Sequence, residues 1–208
     1  MFTYKRFTQG LLGSNTYVLW DEDTLECALI DAGNPTELVW PFLEEKGLNV
    51  QYIILTHAHY DHIFYFEEYA KRAPNAQVVL HPLDNEMLPI PRLNASEIFG
   101  PARRFRQGDR LVTEGSILPL GRGRLHIFHT PGHTPGGICI QADAYLFTGD
   151  TLFYDGFGRT DLGAGSVHEM EASIDRLYQM NPELTVFPGH GIATTIGREA
   201  RENPFMDF

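Results

Sequence analysis

The sequence predicts a mixed α/β (α+β) protein whose sheets carry helices on their outer sides. Short apolar runs broken by turn residues recur along the chain, and separate stretches with helix signals stand between groups of them. The two kinds do not follow the strict strand–helix–strand alternation of a purely parallel sheet. The first strands are read around Thr3–Phe7, Thr16–Trp20 and Cys27–Asp31. Asn34-Pro35-Thr36-Glu37 predicts a helix start, with Asn34 as cap, proline at the first helical position and Glu37 three residues after the cap. Gly47 is expected to end that helix, and Pro41 is a potential break in its middle.

The continuous apolar run Tyr52–Leu55 reads as a strand buried on both faces. A helix is expected from Phe64 to Lys71 and a strand at Gln77–Leu80. From about 81 to 108 the chain is rich in proline, arginine and charge with weak periodicity, which suggests an insertion facing substrate or a partner. Strands then recur at Ser116–Leu120, Arg124–His129, Gly137–Gln141 and Tyr145–Thr148. Ser166-Val-His-Glu169 has the form of a capping box opening a helix to about Met180, before a last strand at Thr185–Phe187.

At 208 residues the chain suits one domain, 1–208, and its 43% hydrophobic and 21% charged residues are those of a globular protein. No apolar run approaches the ~20 residues that cross a bilayer, so no membrane role is expected. The N-terminal residues enter a strand-like alternation with no signal-peptide pattern, which makes the cytoplasm the expected compartment. A net charge of −11 repels a phosphate backbone and argues against nucleic acid. An anionic small molecule stays admissible, because bound cations would make a site locally positive. Cys27 and Cys139 form no CxxC pair and read as reduced, buried thiols.

The chemistry concentrates in Thr56-His57-Ala58-His59-Tyr60-Asp61-His62, directly after the buried strand. Residues i and i+2 of an extended segment point the same way, so His57 and His59 can share one metal. Asp61 and His62 follow at the start of a turn into helix. Neutral imidazoles and a carboxylate suit Zn²⁺ and similar cations. Three further segments each deliver a candidate ligand from an apolar strand into a glycine-bearing turn: His133 in His129-Thr-Pro-Gly-His-Thr-Pro-Gly136, Asp150 in Phe147-Thr-Gly-Asp150, and His190 in Phe187-Pro-Gly-His190.

This set, in this order, resembles the ligand pattern of the metallo-β-lactamase superfamily, from Leu29-Ile-Asp-Ala-Gly33 to Pro188-Gly-His190. The resemblance implies a four-layer αββα sandwich with two divalent metal ions at one edge, zinc foremost and iron or manganese as alternatives. It implies that His57, His59 and His133 hold one ion and that Asp61, His62 and His190 hold the other. Asp150 would bridge both, and Asp31 would orient a ligand histidine. Arg159, in Gly156-Phe-Gly-Arg159-Thr-Asp161, resembles a residue of the family's substrate-side loop and is a candidate for gripping a substrate carboxylate. His81, His126, His129 and His168 match no ligand position. Arg103, Arg104 and Arg106 read as a solvated charged face rather than as substrate groups.

Within the superfamily the chain looks most like the small glyoxalase II-like branch, which hydrolyses acyl-thioesters such as S-lactoylglutathione. Phe147–Phe153 and Gly158-Arg159 carry that likeness. Two departures point away from glutathione as the thiol carrier: only 18 residues follow His190, and Gly191-Ile192 stand where the branch has glutamate and tyrosine. On this reading Asp61 and Asp150 would orient an attacking hydroxide. The alternatives are a persulfide dioxygenase of the same fold, with one iron on His57, His133 and Asp150, and a non-catalytic metal-binding module. A flavin-coupled diiron protein is disfavoured, since that relative has glutamate where His59 stands. The sequence leaves the natural substrate, the metal and the oligomeric state open.

Overall fold

The computed structural model describes residues 1–162 and 164–204; Gly163 and the last four residues of the expected domain lie outside them. The first half folds as β1 (Phe2–Phe7), β2 (Thr16–Asp21), β3 (Glu26–Ile30), α1 (Thr36–Lys46), β4 (Asn49–Ile54), α2 (Tyr60–Ile63), α3 (Phe66–Arg72), β5 (Gln77–Leu80), α4 (Pro82–Met87) and α5 (Ser96–Phe99). The second half adds β6 (Arg110–Leu111), β7 (Ile117–Leu120), β8 (Gly123–His129), β9 (Ile138–Ala142), β10 (Tyr145–Gly149), a small hairpin of β11 (Leu152–Phe153) and β12 (Gly156–Phe157), α6 (Val167–Tyr178), β13 (Thr185–Pro188), β14 (Thr194–Thr195) and α7 (Ile196–Glu202). Two six-stranded sheets result, in the orders β1-β2-β3-β4-β5-β6 and β14-β13-β10-β9-β8-β7.

The layering follows from the period of two along the strands. In β3, Cys27 and Leu29 point outward into a core with Val39 and Leu43 of α1 and Phe66 and Tyr69 of α3. Ala28 and Ile30 point inward and meet Leu125 and Ile127 of β8, Ile140 of β9 and Phe147 of β10. On the other side of the second sheet, Cys139, Leu146 and Val186 pack with Leu177 of α6 and Ile196 of α7. One core thus lies between the sheets and one under each outer helical layer, which is an αββα sandwich. Burial of Cys27 and Cys139, both free, pushes their thiols up to about 12 and about 11.

Local sequence signals act as expected at most, but not all, element ends. Gly47 caps α1 in the left-handed conformation (φ 64°). Pro41 sits inside α1 without ending it, because packing of Val39 and Leu43 outweighs one missing hydrogen bond. Asn34 does not cap the helix. Its side chain accepts from Gln9 N (2.7 Å) and donates to Ser14 O (3.1 Å), tying the loop after β3 to the loop after β1. Ser166 does cap α6, accepting from Glu169 N at 3.3 Å. The 81–108 segment is more regular than its weak periodicity suggested: it contains α4 and α5, too short for a repeat to register.

Candidate metal centre

The candidate ligands gather where the parallel strands end. β3, β4 and β5 run parallel in one sheet, β10 and β13 in the other, and ligands of open α/β sheets collect outside such carboxyl ends. β4 leads into His57 and His59 and then α2, whose first turn carries Asp61 and His62. Asp150 follows β10, His190 follows β13, and His133 sits in the β8–β9 loop. Gly189 has to be glycine, since a Cβ there would collide with the Asp150 carboxylate and the His62 ring.

Seven side chains converge. Ligand atoms of His57, His59 and His133 lie within 4.8 Å of one another, and so do those of Asp61, His62 and His190. His59 Nδ1 is 2.7 Å from His133 Nε2, and His62 Nε2 is 3.1 Å from His190 Nε2. Asp150 touches both groups: its carboxylate oxygens are 3.3 Å from His62 Nε2, 3.5 Å from His133 Nε2 and 3.6 Å from His190 Nε2. Asp61 Oδ2 lies 3.0 Å from His190 Nε2.

For three of the histidines the outward ring nitrogen is tied back, which fixes those imidazoles. His62 Nδ1 donates to Asp31 Oδ2 (2.8 Å), whose carboxylate also accepts from Thr56 N and Thr56 Oγ1. His133 Nδ1 donates to the backbone carbonyl of Arg159 (2.6 Å), and His57 Nδ1 is 3.0 Å from Thr56 Oγ1. In each case Nε2 is left facing inward. Burial holds His57, His59 and His133 below the ordinary imidazole range, so they are neutral and offer lone pairs. His62 is also buried, but Asp61, Asp150 and Asp31 outweigh that and push it up to about 10. Asp61 is buried as well, yet His62 and His190 hold its carboxyl far below the usual range.

The neutral nitrogens of His57, His59 and His133, pressed together beside a carboxylate, call for a cation between them, and the acidic residues around His62 and His190 call for positive charge there. Among the described residues, the buried atoms His57 Nε2, His59 Nε2 and Asp150 Oδ1 have no hydrogen-bond partner. This donor set fits a pair of divalent ions. A cavity of about 350 Å³ opens over it, walled by Leu12, Phe99, Phe153 and Leu162 and reached by Arg159. Leu12 presents its side chain there from a left-handed backbone (φ 54°), a conformation L-residues rarely adopt.

The profile of the metallo-beta-lactamase superfamily matches residues 9–190. The chain belongs to this superfamily. Its relatives include a hydroxyacylglutathione hydrolase, GloC, of Haemophilus influenzae, 34% identical over 93% of this chain and 92% of that protein. Among solved structures, BLEG-1, a B3 metallo-beta-lactamase, superposes with a TM-score of 0.92 at 34% identity over 99% of this chain and 100% of that one. TTHA1623 in a di-iron-bound form superposes with a TM-score of 0.83, also at 34% identity, over 97% and 99%. The αββα sandwich expected from the motifs is therefore the superfamily's own.

The weaker candidates separate by their surroundings. Arg159 reaches the cavity, but its guanidinium is already paired with Asp161 at 2.6 and 2.8 Å. His81 and His129 stack on each other at 4.1 Å, and His126 and His168 are exposed. Arg103 pairs with Glu67 and Arg106 with Asp109. Several contributors carried no readable signal. Ser14 Oγ donates to Asp61 O (2.8 Å), and Asn15 N donates to Gly189 O (2.7 Å), so the loop after β1 holds two ligand segments. Asp84, buried on α4, is another. Burial pushes its carboxyl up to about 6 although Ala58 N and Gly136 N donate to it.

Proposed function

We propose that this superfamily member is a binuclear metal-dependent hydrolase of acyl-thioesters, with His57, His59 and His133 on one ion, Asp61, His62 and His190 on the other, and Asp150 between them. The carrying observation is that Asp150 contacts histidines of both groups at the floor of one cavity. Divalent ions held there, zinc foremost, would lower the pKa of a bound water to near ~7 and polarise the substrate carbonyl. Asp61 and Asp150 would accept hydrogen bonds from the attacking water and so aim it. Leu12, Phe99, Phe153 and Leu162 exclude bulk water from the reacting carbonyl and hold the apolar parts of the substrate. A thiolate leaving group needs little protonation, which suits a cavity whose lining acids are the two ligand carboxylates.

The thioester class is supported by the hydroxyacylglutathione hydrolase among the relatives. Gly191-Ile192 argue for a weaker dependence on the glutathione half, since Ile192 is an exposed aliphatic side chain with nothing to offer a peptide carboxylate. Phe99 brings the 81–108 segment to the cavity wall, so we read that segment as substrate-facing, within one 1–208 domain. The substrate is then a small acyl-thioester, with Arg159 as the group that meets an anionic one. We place the protein in the cytoplasm; among the described residues no helix is long and apolar enough to cross a membrane.

The test is elemental analysis of metal-saturated protein together with turnover of a thioester panel. Two ions per chain and hydrolysis of both S-lactoylglutathione and a short acyl-thioester without the peptide are expected. One iron per chain, oxygen consumption with glutathione persulfide and no thioester turnover would replace this reading with the dioxygenase. Two ions with no turnover of any substrate would leave a binding module.

A further inference from the structure

Asp31 holds His62, but it does not reach the gap between His57 and His59, on a loop of the first sheet, and His133, on a loop of the second. Asp84 lies between those loops. It is fully buried, on the first turn of α4. Its Oδ2 accepts from the backbone N–H of Ala58, the residue between His57 and His59, at 2.8 Å. Its Oδ1 accepts from the backbone N–H of Gly136, three residues after His133, at 2.6 Å. A Cβ on Gly136 would collide with that carboxylate, so the approach requires glycine.

We propose that Asp84 is a positioning residue: resting on the binuclear reading above, its carboxylate fixes the spacing of the two loops that carry His57, His59 and His133, and thereby the affinity of that triad for its ion. Asp84 does not line the cavity; besides the two backbone N–H groups, the side chain of Thr134, next to His133, lies against its carboxylate. A carboxylate offers acceptors on both sides, and the two N–H groups are both donors. An amide of the same shape would set its own NH₂ against one of them, leaving a buried donor unpaired and letting one loop move away. The other triad has its own support in Asp31, which bonds to Thr56 and His62 and not to Gly136. Asp31 also meets His57 indirectly, through Thr56 Oγ1, but of the two carboxylates it is Asp84 that joins the His57–His59 loop to the His133 loop.

The experiment titrates metal-free protein with Zn²⁺ against a competing chelator, first in wild type and then in Asp84→Asn. Loss of such a supporting contact typically costs roughly 10–100-fold in metal affinity. One ion is expected to weaken by that factor and the other to keep its wild-type affinity. Backgrounds that remove one triad assign the effect: Asp84→Asn should weaken the single ion left in His190→Ala and leave unchanged the single ion left in His57→Ala. Gly136→Ala, which crowds the carboxylate without changing charge, should reproduce the pattern. Excess Zn²⁺ should restore kcat in Asp84→Asn, since the residue does not meet substrate.

Equal weakening of both ions, or no weakening, overturns the proposal. Failure of both Asp84→Asn and Gly136→Ala to fold also overturns it, because it assigns Asp84 to the fold as a whole rather than to one triad. Wild type that binds fewer than two ions at saturation brings down the binuclear reading itself, which is a separate outcome read before any variant is made.

Discussion

Two segments that both follow a strand of the first sheet contribute to the centre in opposite ways. His57–His62, after β4, offers four candidate ligand side chains within six residues, two of which, His59 and Asp61, line the cavity. The stretch after β5, from α4 to the end of α5, supplies no candidate ligand; it gives a buried carboxylate that accepts from the backbone of two ligand-bearing loops and one phenyl ring on the cavity wall. On the function proposed above, the first segment would carry the chemistry and the second would hold it in place and shape what enters. Changes in the two should therefore fail differently: loss of activity outright in one, shifts of affinity, stability or KM in the other.

The largest contrast is expected from the ligands. His57→Ala and Asp150→Ala should lower kcat for thioester hydrolysis by on the order of 10³-fold or more, since several kcal/mol of charge stabilisation would go with the ions they are proposed to hold. Substantial turnover by metal-depleted Asp150→Ala would break the comparison at its root.

Asp84 predicts a pH signature in the metal-free protein. Burial raises its carboxyl from an ordinary 3.8 to about 6 in the folded state, which therefore holds an extra proton between these values. Its contribution is fully present below about 4 and is lost as pH rises through about 6, with stability falling as pH rises. A difference of that size corresponds to roughly 3 kcal/mol at most. Urea unfolding at pH 4.5 and pH 7 should show wild type losing stability relative to Asp84→Asn across that window. A difference independent of pH would mean that Asp84 is not a buried carboxylate in solution.

At the cavity wall the effects should be smaller. Phe99→Ala should raise KM about tenfold for a thioester with an apolar acyl group and leave kcat nearly unchanged, as loss of uniform apolar binding does. Arg159→Ala should cost about tenfold in kcat/KM for an anionic thioester and nothing for a neutral one, because Asp161 already occupies the guanidinium. An equal loss on both substrates would move Arg159 from recognition to support of His133, whose Nδ1 donates to its backbone carbonyl. The smallest effects are expected far from the site. His168→Ala should leave activity unchanged, and native protein at pH 8 should not react with a disulfide reagent, since burial keeps both cysteines protonated.

The sequence by itself determined the alternation that builds the strands and the residue types at the ends of β4, β10 and β13. Metal ligation accepts few side chains, and the histidine and aspartate spacing within His57–His62 is local, so it survives in one dimension. Only the tertiary structure decided which residues steady those ligands. Asp84 reaches partners 26 and 52 residues away, and both are backbone N–H groups that almost any residue could provide. The same holds for Asn34, which a local rule assigns to a helix cap and which the fold uses on a loop 20 residues earlier, at Ser14. Arg159 stands in a motif that suggests a free cation, yet Asp161, two residues on, pairs with it in the folded chain. A ligand is specified by its own side chain, whereas a support is specified by what the folded chain places beside it.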